Sequence, residues 1–116
     1  MSKDVDFNGR IVTFTSNGAT PLFYRQFFKK DIIKEMSGDN PFSAATENAP
    51  ELGFIMAKQA EGADMMKLTQ TDYIEWLSSF GALDLTVHAM DIIEAYVDDS
   101  IPSEEPKKKV SEEPNE

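Results

Sequence analysis

Cysteine is absent from this 116-residue chain, which excludes a disulfide framework and any thiolate metal site. Histidine occurs once, too few for the several His or Cys ligands on which zinc sites usually draw. No apolar run approaches the roughly 18 to 20 residues of a membrane span. Residues 1–10 carry Lys3, Asp4, Asp6 and Arg10 with no apolar stretch, so no signal peptide is expected. The six glycines are scattered, without the clustering of a phosphate-binding loop. Basic residues are the minority, 11 Lys and Arg against 21 Asp and Glu, for a net charge of −10. Such a chain repels phosphate backbones and anionic headgroups, so neither nucleic acid nor membrane is an expected partner. These absences point to a cytosolic protein that works without metal or cofactor.

What is present is a bulky core. Apolar residues make up 41 %, with eight Phe, six Met, three Tyr and one Trp, enough for one domain of ordinary size. The charge is unevenly spread. Residues 21–38 are net positive, with Arg25, Lys29, Lys30 and Lys34 against Asp31 and Glu35, whereas residues 39–99 oppose twelve acids with only Lys58 and Lys67.

Along the chain, residues 10–18 predict a short or edge strand. Ile11, Val12, Thr13 and Phe14 favour the pleat, and Asn17-Gly18 supplies a turn, but no partner strand follows. Thr20-Pro21 predicts a helix start with Thr20 as cap, and Ser37-Gly38 a stop. The apolar sector of that helix, 21–37, is wide enough to require burial of more than one face. Residues 39–49 predict a loop, and Pro50 opens a second helix to about residue 60. Thr69 and Asp72 form a capping-box pattern, with Leu68 and Tyr73 placed as a hydrophobic staple, for a third helix over about 70–79. A fourth, about 83–97, carries Leu85, Ala89, Ile92, Ile93 and Tyr96 on one stripe. From residue 99 the chain is polar and proline-rich, too poor in apolar surface to offset its ordering entropy, so a disordered tail is expected.

Catalytic parts are missing. His88, with Asp84 at i−4 and Asp91 at i+3, reads as a surface imidazole steadied by carboxylates sooner than a metal or general-base site. Asp91, Glu94 and Asp98 lack opposed carboxylate partners, and Ser78-Ser79 lacks a recognisable base. The expectation is a non-enzymatic protein. For protein binding the candidates are the aromatic and basic helix residues Phe23, Tyr24, Arg25, Phe27 and Phe28, together with Trp76, Phe80 and Tyr96. Burial in the core is the competing assignment for every aromatic among them.

Three blocks carry a family resemblance. Thr20-Pro-Leu-Phe-Tyr-Arg25, with Phe28 and Asp31-Ile-Ile-Lys-Glu-Met36, is the first; Phe54-Ile-Met-Ala-Lys-Gln-Ala60 is the second. Tyr73-Ile-Glu-Trp-Leu77, with Phe80 and the helix behind it, is the third. In this order, over roughly residues 10–97, they resemble the tail assembly chaperones of siphophages and of prophages in Gram-positive bacteria. One departure stands at Ala95-Tyr96, where relatives often carry a Leu-Trp pair, so packing or partner surface there differs. The resemblance implies a protein of the host cytoplasm that binds the coiled-coil-rich tape measure protein and keeps it soluble. It implies recruitment of major tail protein, departure before the virion is complete, and no catalytic residues. It also implies a longer frameshifted product in many members. Lys107, Lys108 and Lys109 suit an A-rich slippery heptamer or an ordinary basic cluster, and the codons for residues 107–109 separate the two.

Taken together, the sequence predicts a mainly α domain over residues 1–98, a compact bundle of about four helices with a short N-terminal β element. A disordered acidic C-terminal tail, 99–116, follows. Tape measure protein and major tail protein are the expected partners, with self-association into small oligomers to multiply weak contacts. The competing expectation is a structural component of the tail or connector that stays in the virion.

Overall fold

The chain opens with a β-hairpin. Strand β1 (Ser2–Phe7) pairs antiparallel with β2 (Arg10–Thr15), Val5 opposite Val12 and Phe7 opposite Arg10. Asn8 and Gly9 join them at φ of 58° and 99°, the two positive-φ positions of a two-residue type I′ turn. The Asp6 carboxylate accepts the Gly9 N–H at 2.6 Å and fixes the turn. Val5, Phe7, Val12 and Phe14 face the core, while Asp4, Asp6, Ile11 and Thr13 face out, the period-2 alternation of a half-buried sheet. The strand expected near residues 10–18 is therefore half of a hairpin whose partner precedes it. Its turn is Asn8-Gly9, whereas Asn17 accepts the Ala19 N–H (2.9 Å) and leads into a helix.

The computed structural model describes residues 2–35, 37 and 41–100. Helix α1 (Thr20–Phe28) has Pro21 in its first turn, where the missing N–H has no bond to lose. Thr20 is not its cap. The hydroxyl accepts the N–H of Asn17 behind it (2.9 Å) and donates to Gln59 (2.7 Å), tying the helix start to another element. Lys29 ends α1 in the left-handed region at φ 61°, and its N–H reaches Arg25 O at 2.9 Å. Asp31 then caps the short α2 (Ile32–Glu35) by accepting the Ile33 N–H at 2.9 Å. The single helix expected over 21–37 is thus two, and the break turns Ile32 into the core, where it is fully buried.

Helix α3 (Pro41–Glu61) begins inside the segment expected to be a loop and passes through Pro50. An interior proline costs about 3 kcal/mol or more. Just beyond it Leu52, Phe54, Ile55 and Met56 are all fully buried, each worth roughly 1.5–3 kcal/mol. Burial wins. The buried Asn48 also donates to Ala44 O (2.8 Å), adding a side-chain tie in the turn before Pro50.

After a 3₁₀ turn at Met65–Lys67, capped by Asp64, helix α4 (Gln70–Ser78) starts with the expected capping box. Asp72 N–H donates to the Thr69 hydroxyl (3.2 Å), and Thr69 N–H donates to the Asp72 carboxylate (2.8 Å). The last expected helix is also split, into α5 (Asp84–Val87) and α6 (Ala89–Ser100), at His88. Helix α6 runs through Ser100, past the boundary expected at 98, and the tail assignment beyond it falls outside the described residues.

The fold is mainly α with an N-terminal two-stranded sheet, six helices among the described residues and α3 at the centre, touching α1, α4, α5, α6 and β2. Gly53 allows the closest approach: a Cβ there would meet Trp76 Cη2 at 3.3 Å and Ile92 Cγ2 at 3.4 Å. Gly53→Val overfills this contact and lowers unfolding free energy by about 1–3 kcal/mol in urea titration. An unchanged midpoint would show that α4 and α6 do not meet at Gly53.

Candidate protein-binding face

The aromatic residues form one connected chain of rings. Tyr24 meets Phe28 (centroids 5.1 Å), Phe28 meets Tyr73 (5.1 Å), and Tyr73 meets Phe54 (5.0 Å). Phe54 continues to Trp76 (5.8 Å), Trp76 to Phe80 (4.8 Å), and Phe80 to Phe7 in the hairpin (5.1 Å). Tilted and edge-on pairs of this kind add about 0.5–1.5 kcal/mol each beyond area burial. Among the sequence-derived binding candidates, Tyr24, Trp76 and Tyr96 are buried in the core. Phe23, Phe27, Phe28 and Phe80 are half-buried against the core. Phe80 is also covered by the Arg10 guanidinium, 4.3 Å from its ring centroid. That guanidinium donates to the carbonyl (2.7 Å) and hydroxyl (2.9 Å) of Ser79, so Ser79 serves to hold the hairpin on α4.

Tyr24 anchors α1 by its polar end. Its hydroxyl donates to Glu51 (2.7 Å) and lies 3.3 Å from Asn48 Oδ1, and Glu51 also receives Lys30 Nζ at 2.9 Å. Burial, reinforced by the Glu51 carboxylate, pushes the Tyr24 hydroxyl well above the usual tyrosine range. Burial and the same carboxylate push Tyr73 up to about 12.

With its aromatics turned inward, α1 shows solvent a different set of residues. Leu22 (43 % exposed) and Arg25 lie on one side of a ridge and line a groove of about 230 Å³ with Gly18, Pro21, Asp31 and Ile33 (65 % exposed). On the other side Phe27, Gln26 and Lys29 line a groove of about 300 Å³ with Met65, Met66 and Leu68. Phe27 thus opens onto a groove, and among the other sequence-derived aromatics Trp76 lines a cavity of about 310 Å³ with Arg10, Val12, Ala57 and Glu61. Lys30 is engaged by Glu51, but Arg25, Lys29 and Lys34 make no ion pair among the described residues. On a chain of net charge −10 this is a local positive ridge between two grooves of mixed polar and apolar lining. The sequence pattern marked Leu22 and Ile33 only as part of a wide apolar sector. Which apolar residues stay outside depended on the break at Lys29, and the αL residue there carries no glycine to announce it.

A second apolar strip lies on α5 and α6, where Leu83, Val87 and Met90 are exposed at i, i+4 and i+7. His88 lies between them in chain order but faces away from solvent, its ring against Phe7 (4.8 Å) and Nδ1 3.1 Å from Asp91. Asp84 is not brought to it. That carboxylate accepts Gly81 N–H (2.8 Å) and Asn8 Nδ2 (3.3 Å), joining hairpin tip to helix start. Among the described residues no cluster of three His, Asp or Glu could hold a metal ion, and no helix is long and apolar enough to cross a membrane.

Comparison with protein-family models, with curated proteins and with solved structures finds no match for this chain.

The raised Tyr24 has a consequence for stability. The unfolded chain ionises its tyrosines near pH 10 while folded Tyr24 keeps its proton. The stability it contributes is therefore complete below pH 10 and is lost as pH rises above it. Tyr24→Phe costs about 1 kcal/mol at neutral pH through the lost hydrogen bond, and it makes the loss of stability between pH 9 and 11 shallower. Chemical denaturation across that range checks both. Equal slopes for the two proteins would place the alkaline sensitivity elsewhere.

Proposed function

We propose that this chain is a phage tail assembly chaperone: a non-enzymatic binder that holds an elongated, helical tape measure protein in solution in the host cytoplasm, helps recruit major tail protein, and leaves before the virion is complete. The reading starts from the three sequence blocks at residues 20–36, 54–60 and 73–80 and the helix behind them. The structural observation that carries it is the α1 ridge. Two grooves with apolar patches flank Arg25 and Lys29, which make no ion pair among the described residues, an arrangement that accepts an amphipathic client helix on its apolar stripe while the cations meet acids beside that stripe.

Magnitudes suit a transient holder. A Leu-sized side chain buried in such a groove contributes roughly 1.5–3 kcal/mol. Two or three anchors, less the entropy of docking, leave contacts of micromolar strength or weaker. Repetition along a long client multiplies them, and each one still releases readily. The Leu83, Val87 and Met90 strip supplies a face for self-association that would array several chaperones on one client.

Co-expression with the tape measure protein tests the reading. The client should be soluble with this chain, aggregated without it, and about tenfold less recovered with Leu22→Asp or Arg25→Glu, substitutions at exposed positions that spare the core. A tape measure protein equally soluble without the chain would sink the proposal, as would this chain in fixed copy number in purified virions by mass spectrometry. Separately, Val87→Lys should lower the mass measured by light scattering at high concentration. If the unsubstituted chain is monomeric throughout, the self-association face is wrong.

A further inference from the structure

We propose that Asn17-Gly18 is a self-modifying site, at which the fold directs loss of the asparagine side-chain amide and leaves an isoaspartate that loosens the start of α1. Asparagine is chemically labile where the following main-chain nitrogen can reach its side-chain carbonyl, and glycine, with no Cβ, exposes that nitrogen best. The sequence contains this dipeptide twice, at Asn8-Gly9 and Asn17-Gly18, and both are exposed. Local sequence gives no reason to separate them. The structure does.

Asn8 is held out of reaction. Its backbone lies in the left-handed region at φ 58°, and at the ψ of about +47° that goes with it the next nitrogen stands nearly opposite Cβ, away from the side-chain carbonyl. The Gly9 N–H is bound by the Asp6 carboxylate at 2.6 Å, and Asn8 Nδ2 donates to Asp84 at 3.3 Å. Asn17 differs in each respect. It lies outside the positive-φ region, and its Oδ1 accepts the N–H of Ala19, two residues on, at 2.9 Å. That turn encloses the Gly18 peptide and folds the Asn17 side-chain carbonyl carbon toward the Gly18 nitrogen. The same Oδ1 accepts from Gln59 Nε2 at 3.3 Å. Two donors on one oxygen stabilise the negative charge that develops there when the carbon is attacked. Neither the Gly18 N–H nor Asn17 Nδ2 makes a hydrogen bond among the described residues, so nucleophile and leaving group are both unencumbered.

The Gly18 nitrogen, once its proton has passed to solvent hydroxide, bonds to Asn17 Cγ. The Cγ–Nδ2 bond breaks, and Nδ2 leaves as ammonia with a proton taken from water. The five-membered imide then takes up a water molecule. Opening at Cγ gives aspartate at residue 17, and opening at the main-chain carbonyl gives isoaspartate, whose chain runs through Cβ. Isoaspartate adds a main-chain atom at a tightly held point. Before it, the buried Ser16 hydroxyl donates to the Ala95 carbonyl (3.2 Å) and fastens the loop to α6. After it, the buried Thr20 hydroxyl accepts the Asn17 N–H (2.9 Å) and donates to Gln59 (2.7 Å). The lengthened chain cannot keep both sets of bonds, and the start of α1 gives way. Gly18 also lines the groove beside Leu22 and Arg25, so the reaction alters a face assigned to the client. That consequence rests on the function proposed above; the reaction itself does not.

The test ages the full chain in mildly alkaline buffer and maps its peptides by mass spectrometry. Cleavage at Arg10 puts the two asparagines on separate peptides. In the folded chain, conversion at Asn17 should outrun that at Asn8 by about tenfold or more, and isoaspartyl methyltransferase should label residue 17. In the denaturant-unfolded chain the two rates should converge. Gly18→Ala should suppress conversion at Asn17, because the added methyl shields the nitrogen. Nothing lies within 4 Å of that methyl and the backbone there is not left-handed, so the fold is kept. Gln59→Glu, which still accepts the Thr20 hydroxyl but no longer donates to Asn17, should slow conversion about tenfold. Aged, isoaspartate-rich protein should unfold at lower urea than fresh protein. Asn8 converting as fast as Asn17 in the folded chain overturns the proposal, as does a rate at Asn17 that ignores either substitution. Equal urea midpoints for fresh and aged protein overturn the loosening of α1. Client co-expression does not enter these measurements, so the chaperone reading and the modification site can fail separately.

Discussion

The fold depends on one stretch of α3, residues 52–57, which is buried all round and against which nearly everything else is assembled. Phe54 contacts Phe27, Tyr73 and Trp76, and so joins α1 and α4 on a single side chain. Gly53, its neighbour, lets Trp76 and Ile92 approach the α3 backbone. A helix surrounded in this way can tolerate Pro50 in its interior, because the apolar area withdrawn from water beyond the proline exceeds the cost of the proline. The hairpin is held on the same assembly at its tip, by Phe7 against Phe80 and Asn8 against Asp84, and at its open end by Lys3 against Glu94.

A core made of large rings has a consequence for the surface. Rings that pack edge to face from the hairpin to α1 leave few aromatics for recognition, so the outward residues of α1 and α2 are aliphatic or cationic: Leu22, Arg25, Lys29 and Ile33. Aliphatic side chains and cations that make no ion pair among the described residues border shallow grooves, a chemistry that favours weak, reversible contact. Strong binding would need deeply buried aromatic anchors, and those rings are spent on the core.

Much of the architecture was legible because local chemistry dictates it. The capping box at Thr69 and Asp72 and Pro21 in the first turn of α1 are settled within three or four residues of chain. The type I′ turn at Asn8-Gly9 was equally local, since Asn-Gly tolerates two positive-φ positions, yet it went unread because Asn17-Gly18 drew the turn instead. The breaks at Lys29 and His88 left no such mark. Lys29 is a residue that avoids positive φ, and what holds it there is the burial of Ile32 together with the tie from Tyr24 and Lys30 to Glu51, none of it local in sequence. Likewise, residues 41–49 hold helix formers, Ala44, Ala45, Glu47 and Ala49 behind Pro41, but Ser43, Thr46 and Asn48 and the proline at 50 give them a loop-like pattern; they are the leading end of a helix whose far half is buried.

By itself, then, the sequence determined the mainly helical character and the negative charge, because composition and short-range spacing carry both. Tertiary structure decided which apolar residues remained outside. Phe23, Tyr24, Phe27, Phe28, Trp76, Phe80 and Tyr96 have the same apolar character whether they pack or bind. Only the angles at which α1, α3, α4 and α6 meet bury Tyr24, Trp76 and Tyr96 and leave Leu22 and Ile33 at the surface. Burial depends on the arrangement of elements distant in the chain, and neither composition nor spacing encodes that arrangement.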